Sequence, residues 1–172
     1  MTDYEGNQIE GWMGLDELRW LYDRALTMEK IVEIGSWMGK STHALLSTGK
    51  PIVAVDHFKG SVSQIADVHK YATMHDLYAA FHLNVGHFPN LLVMKMDSHV
   101  AAEFFKEKSV DMIFIDGDHE YSMVKRDLEV WYPKCKKLLC GHDRGENGVP
   151  AALAEFGMKI KEEVGSIWSI AI

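Results

Sequence analysis

Apolar positions along the chain fall into two alternating patterns. Leu15, Leu18, Leu21, Tyr22, Ala25 and Leu26 recur at helical spacing and predict a helix with one apolar face. Short apolar runs follow at Lys30–Ile34, Pro51–Val55, Leu91–Met96, Val110–Ile115 and Lys137–Cys140, and each reads as a strand. Pro51–Val55 is apolar throughout, as expected of a strand buried on both faces. Helical segments separate the runs. Lys40–Ser47 ends near Gly49, and a second helix covers about Met74–Leu83. Ser98 is placed to cap a helix carrying Val100, Ala101, Phe104 and Phe105. Met123–Tyr132 stops at Pro133, and Pro150 opens a last helix through Phe156. Met158–Val164 and Ser166–Ile172 predict a hairpin turning at Gly165.

Five strands alternating with helices, then a hairpin, predict an α/β fold. The sheet is doubly wound, mostly parallel and seven-stranded, with helices on both faces and an antiparallel C-terminal hairpin. In such sheets a ligand sits at the carboxyl ends of the strands, where strand order reverses. The candidate site residues are therefore those just after each strand. The 172 residues suit one domain, 1–172, and no repeat or linker divides them. Residues 57–90 are the least regular stretch. Their Tyr71, Met74, His75, Tyr78, Phe81 and His82 form either a lid that specifies a substrate or a stripe of core.

Composition narrows the partners. Hydrophobic residues make up 47% and charged residues 25%, as in soluble globular proteins. A net charge of -7 without a densely basic segment argues against nucleic acid as a partner. No apolar run approaches the roughly 20 residues that span a bilayer. The opening MTDYEGNQIEG lacks the basic and apolar regions of a signal peptide. Cys135 and Cys140 have no Cys-x-x-Cys spacing and read as free thiols. The expected setting is the cytoplasm, and the expected partner a small molecule bound by a monomer or homodimer.

The loop after the first strand holds the densest chemistry: Glu33-Ile34-Gly35-Ser36-Trp37-Met38-Gly39-Lys40-Ser41-Thr42. Gly35 allows a sharp turn, and Gly39 allows a ligand to approach the backbone. The following helix start, with the Ser41 hydroxyl, suits an anion such as a carboxylate or phosphate. Gly39-Lys40-Ser41-Thr42 looks like the end of a phosphate-binding P-loop, with Met112–Asp116 as its metal-binding partner strand. That motif needs four residues between its glycine and Gly-Lys, and only Ser36, Trp37 and Met38 stand there.

Glu-x-Gly-x-x-x-Gly-x-Ser after an apolar strand resembles the first motif of class I S-adenosylmethionine-dependent methyltransferases, in the form found in small-molecule O-methyltransferases. Ile115-Asp116-Gly117-Asp118-His119 after the fourth strand and Gly141-His142-Asp143 after the fifth resemble one subgroup of that family, and Ser166-Ile167-Trp168 matches its last strand. The resemblance runs from about Glu10 to Ile172. It implies that Gly35 and Gly39, with Ser36 and Trp37, line the methionine part of S-adenosylmethionine. Ser41 binds its carboxylate, and Glu33 lies near its amino group. Asp56, at the end of the second strand, accepts from ribose hydroxyls, as an acid does there in dinucleotide folds. His57 and Phe58, which follow, are placed to pack on adenine. Asp97 and Ser98 hydrogen-bond adenine, or cap a helix, or both.

Asp116 and Asp143 end neighbouring strands, so their carboxylates can converge on Mg²⁺ or another hard divalent ion. By the resemblance, these positions and the one before Asp143 hold a metal in metal-dependent relatives, where it activates a substrate hydroxyl. Here that position is His142, in place of an acid or amide, which favours a softer metal. Without a metal, the two acids shape the cofactor pocket. His119, three residues past Asp116, is the candidate base for an alcohol nucleophile, with Asp118 orienting it or facing water. A bound metal or the sulfonium would lower its pKa. The implied activity is methyl transfer to a small-molecule hydroxyl, with His119 and Asp116 as catalytic residues. A protein or nitrogen acceptor, or a cofactor-binding module without catalysis, is the alternative.

Overall fold

The computed structural model describes residues 5–60, 72, 74–145, 148–157 and 159–172. Its strands are β1 (Ile31–Ile34), β2 (Ile52–Val55), β3 (Leu91–Met94), β4 (Val110–Ile115), β5 (Cys135–Gly141), β6 (Lys161–Glu162) and β7 (Trp168–Ala171). Its helices are α1 (Leu15–Ala25), α2 (Lys40–Leu46), α3 (Leu77–Val85), α4 (Ser98–Ala102), α5 (Tyr121–Trp131) and α6 (Gly148–Phe156). The sheet has seven strands in the order β3-β2-β1-β4-β5-β7-β6. β1 to β5 are parallel, and β7 pairs antiparallel with both β5 and β6. The order reverses between β1 and β4, as expected of a doubly wound sheet.

Strand alternation splits the core into two layers. Ile31, Ile52, Ala54, Met112 and Phe114 face one side, where α1, α2 and α3 bury Leu21, Leu45 and Phe81. Val32, Ile34, Val53, Val55, Ile113 and Ile115 face the other, against Val124, Leu128 and Trp131 of α5 and Leu153 of α6. Both faces of the central strands are thus covered, which is why β1, β2 and β4 are buried at every position.

Element ends differ from the sequence pattern for local reasons. Leu15 and Leu26 are exposed, because they sit at the two ends of α1 and overhang the sheet. α3 starts at Leu77, since the Asp76 side chain accepts from Ala79 N and caps it. The N-cap of α4 is Asp97, not Ser98, whose hydroxyl turns to Asp127 instead. α6 begins two residues before Pro150. β5 starts at Cys135, directly after a 3-10 turn at Tyr132–Lys134. Both cysteines are free and buried. Among the described residues no helix is long and apolar enough to cross a membrane.

Candidate active site

The carboxyl ends of β1 to β5 open on a cavity of about 560 Å³. That size suits a small-molecule site. Each of the five strands contributes wall: Gly35 to Trp37 after β1, Asp56 and His57 after β2, Met96 to His99 after β3, Asp116 to Glu120 after β4, and His142 with Asp143 after β5. Ser41 of α2 also lines it, as do Trp12 and Met13 from the segment before α1.

The β1 loop is built by its own side chains. Gly35 has φ 81°, and a Cβ there would stand 2.2 Å from the Asp116 carbonyl oxygen, so only glycine lets β1 and β4 end side by side. Trp37 also lies in the left-handed region, with φ 48°, which is rare for so bulky a residue. Asp56 holds it there. Its Oδ2 accepts from Ser36 N at 2.8 Å and Trp37 N at 3.0 Å, and its Oδ1 from Phe58 N at 2.6 Å. Oδ2 thus has both lone pairs engaged, while Oδ1 keeps one, so Asp56 retains acceptor capacity toward the cavity.

Two loop residues stand away from the wall. Glu33 is wholly buried beneath the loop and is bonded by the Ser36 and Thr42 hydroxyls. Burial, countered by the hydroxyls of Ser41, Thr42 and Ser36, pushes its pKa up to about 7. Gly39 does not face the cavity. A Cβ there would meet Val85 at 3.1 Å and Phe81 at 3.3 Å, so this glycine admits α3 rather than a ligand. Lys40 Nζ donates to the Gly11 carbonyl at 3.0 Å, tying the N-terminal segment across the loop, unlike a P-loop lysine directed at phosphate. Trp12 leans on Trp37, with ring centroids 5.5 Å apart.

The β4 and β5 ends carry a chain of charged groups. His119 Nε2 lies 2.6 Å from Asp143 Oδ2. His142 Nδ1 lies 3.1 Å from Asp143 Oδ1 and 3.6 Å from Asp116 Oδ1. Behind it, His142 Nε2 is 3.1 Å from Glu17 Oε1. Burial opposes charge on both imidazoles, but the carboxylates outweigh it: His142 is pushed up to about 9, and His119 is raised above its ordinary value. Asp143 therefore favours the charged form of His119. Burial and the neighbouring Asp143 raise Asp116, whereas the two imidazoles hold Asp143 well below the usual carboxylate range. Asp118 Oδ1 accepts from Glu120 N at 2.8 Å and shapes the turn, and its charge adds to those that raise His119. Asp143 itself has φ 56°, and the hairpin braces it: Trp168 Nε1 donates to the His142 carbonyl at 3.0 Å.

Of the residues singled out after β2 and β3, His57, Asp97 and Ser98 all line the cavity. From 57–90, Gly60 and Leu77 line it as well. Tyr78 and Phe81 pack instead on Phe58, at 5.0 and 5.1 Å between ring centroids, and Tyr71 lies outside the described residues. Glu17, Trp12 and Asp127 line the cavity without having been picked out from the sequence. Glu17 carried one signal: it stands four residues before Leu21, on the buried face of α1.

Comparison with known proteins agrees with this geometry. A family model described as a methyltransferase domain matches residues 32–143. The O-methyltransferase NovP superposes with a TM-score of 0.71 at 12% identity, covering 92% of this chain and 80% of its own. An O-methyltransferase from Bacillus cereus, solved in complex with SAH, gives a TM-score of 0.60 at 16% identity over 99% of this chain and 88% of its own. A SAM-dependent O-methyltransferase from Thermotoga maritima gives 0.62 at 12% identity, over 98% and 68%. No match was found among curated protein sequences. The matched segment runs from β1 to Asp143, the span that supplies most of the cavity wall, and the chain belongs to the methyltransferase-domain family as a class I S-adenosylmethionine-dependent methyltransferase.

Proposed function

We propose that this chain, a single domain over residues 1–172, moves a methyl group from S-adenosylmethionine to a hydroxyl of a small molecule, with His119 as the base. The carrying observation is the 2.6 Å contact of His119 Nε2 with Asp143 on the wall that also holds Gly35, Ser41 and Asp56. With Nε2–H donated to Asp143, the ring carries its lone pair on Nδ1. That nitrogen takes the hydroxyl proton while the oxygen attacks the methyl carbon. The carbon–sulfur pair leaves with sulfur, giving a methyl ether and S-adenosylhomocysteine. Asp143 stabilises the imidazolium that forms, and the cavity aligns the in-line displacement. The O-methyltransferase names of the solved neighbours favour oxygen as the acceptor atom. The residues fit the cofactor: Ser41 on the cavity wall is a polar neighbour for its carboxylate, and Asp56 Oδ1 offers an acceptor to its ribose. Labelled methyl from S-adenosylmethionine, offered with a panel of phenols, sugars and hydroxylated polyketides, should appear in a methyl ether. Label found only on amines or proteins would contradict the reading.

A second reading adds a divalent ion. Asp116, His142 and Asp143 present ligand atoms within 4.8 Å of one another. His142 turns Nδ1 to the two acids and Nε2 to Glu17, the disposition of a ligating imidazole backed by a carboxylate. These three residues would hold the ion, which would supply Lewis-acid activation of the acceptor hydroxyl. The mixed nitrogen and oxygen donors suit Mn²⁺ or Zn²⁺ better than Mg²⁺. Chelator should then abolish turnover and added Mn²⁺ restore it. Turnover that ignores chelator would leave the acids to position His119.

A further inference from the structure

Asp127 lies on α5 and forms part of the cavity wall, yet it is only 6% exposed. Its Oδ1 accepts the Ser98 hydroxyl from the start of α4. Among the described residues nothing hydrogen-bonds Oδ2. Oδ2 is thus an acceptor that reaches the cavity from a side chain otherwise buried, a placement that suits a donor arriving with the ligand. Gly117 keeps the approach open. A Cβ there would stand 3.9 Å from Asp127 Oδ2 and 4.0 Å from Ile34 Cγ2, filling the gap between them.

Sheet order says which part of the ligand arrives. Ser98 follows β3, at the edge of the sheet, whereas the His119–Asp143 pair belongs to β4 and β5 on the other side of β1. A cofactor with its reacting carbon near His119 and its ribose near Asp56 of β2 carries its base toward β3. Ser98 has a single hydroxyl proton, which it donates to Asp127, so its side chain has none left for a base.

We propose that Asp127 reads the cofactor's base: Oδ2 accepts a hydrogen bond from the exocyclic amino group of adenine, and Ser98 fixes the orientation of the carboxylate. The proposal rests on the reading that the cavity binds S-adenosylmethionine with its methyl group toward His119. Burial pushes the Asp127 pKa up to about 6, so at pH 8 the group is ionised and only accepts. Hypoxanthine, which carries a carbonyl where adenine carries the amino group, would set oxygen against oxygen there.

The test is calorimetric titration at pH 8 of S-adenosylhomocysteine and its deaminated analogue S-inosylhomocysteine. Wild-type protein should prefer the adenine compound by roughly tenfold to a hundredfold, the scale of a hydrogen bond to a charged group. In Asp127→Asn, Ser98 still donates to the amide carbonyl, so the NH₂ group faces the base. Affinity for the adenine compound should fall, affinity for the hypoxanthine compound should rise, and the preference should collapse or reverse. Equal weakening of both by Asp127→Asn, or no change in either, would reduce Asp127 to a tie between α4 and α5. Equal wild-type affinity for the two would overturn the proposal without any variant. Absence of wild-type binding to either would overturn the cofactor reading as well.

Discussion

Nε2 of His142 lies 3.1 Å from Oε1 of Glu17, 125 residues earlier in the chain. The same Oε1 accepts from Ser166 N at 2.7 Å, and Oε2 accepts from Gly14 N at 2.8 Å. One side chain thus joins the start of α1, the β6–β7 hairpin and the end of β5. Glu17→Ala would leave three donors without an acceptor, of which those of buried His142 and half-buried Ser166 each cost about 1–3 kcal/mol. The expected loss is about 3 kcal/mol or more in urea unfolding. Glu17→Gln keeps one carbonyl oxygen and should lose less. A change under about 1 kcal/mol for the alanine variant would show that water replaces all three bonds.

Glu33 makes stability depend on pH. Its folded pKa of about 7 lies above the ordinary 4.5, so the folded state binds the proton more tightly. That stability is fully present below pH 4.5 and is lost as pH rises through about 7. The loss is on the order of 3 kcal/mol, since each pKa unit is worth about 1.4 kcal/mol. Asp116 and Asp127 act in the same direction, so the difference between proteins isolates Glu33. Glu33→Gln, which keeps an acceptor for Ser36 and Thr42, should be flatter than wild type in urea unfolding between pH 5 and pH 8. Parallel curves for the two proteins would mean that Glu33 does not titrate in this range.

The pH profile of turnover follows from His119. A base must be neutral, and Asp143 holds the imidazole in its charged form, so turnover should rise with pH through a midpoint above 6.5. Asp143→Asn removes that charge and should shift the midpoint down, even as it lowers the rate. An unmoved midpoint would assign the titration to another group.

Much of this was written in the pattern of residues, because periodicity and motif order are local. The strand after which each site residue falls could be read directly: Asp56 after β2, Asp116 after β4 and Asp143 after β5 all reach one cavity. What could not be read is who answers whom across the fold. Ser98 looked like a cap, but Asp127, 29 residues on, claims its hydroxyl. Gly39 looked like room for a ligand, but Val85 and Phe81 of α3 fill it. His119 meets Asp143, from beyond the end of β5, at 2.6 Å, while its neighbour Asp118 accepts from Glu120 N in its own turn. Each of these pairings depends on how helices dock on the sheet, which no local spacing encodes.

The most direct test of the account is single-turnover methyl transfer by His119→Ala at saturating S-adenosylmethionine, beside wild type with the same hydroxyl acceptor. Cofactor affinity should barely change, because Gly35, Ser41 and Asp56 remain. The methyl-transfer rate should fall by roughly 100-fold or more, the scale of a positioned base. A variant that transfers the methyl group at the wild-type rate would contradict the role given to the His119–Asp143 pair.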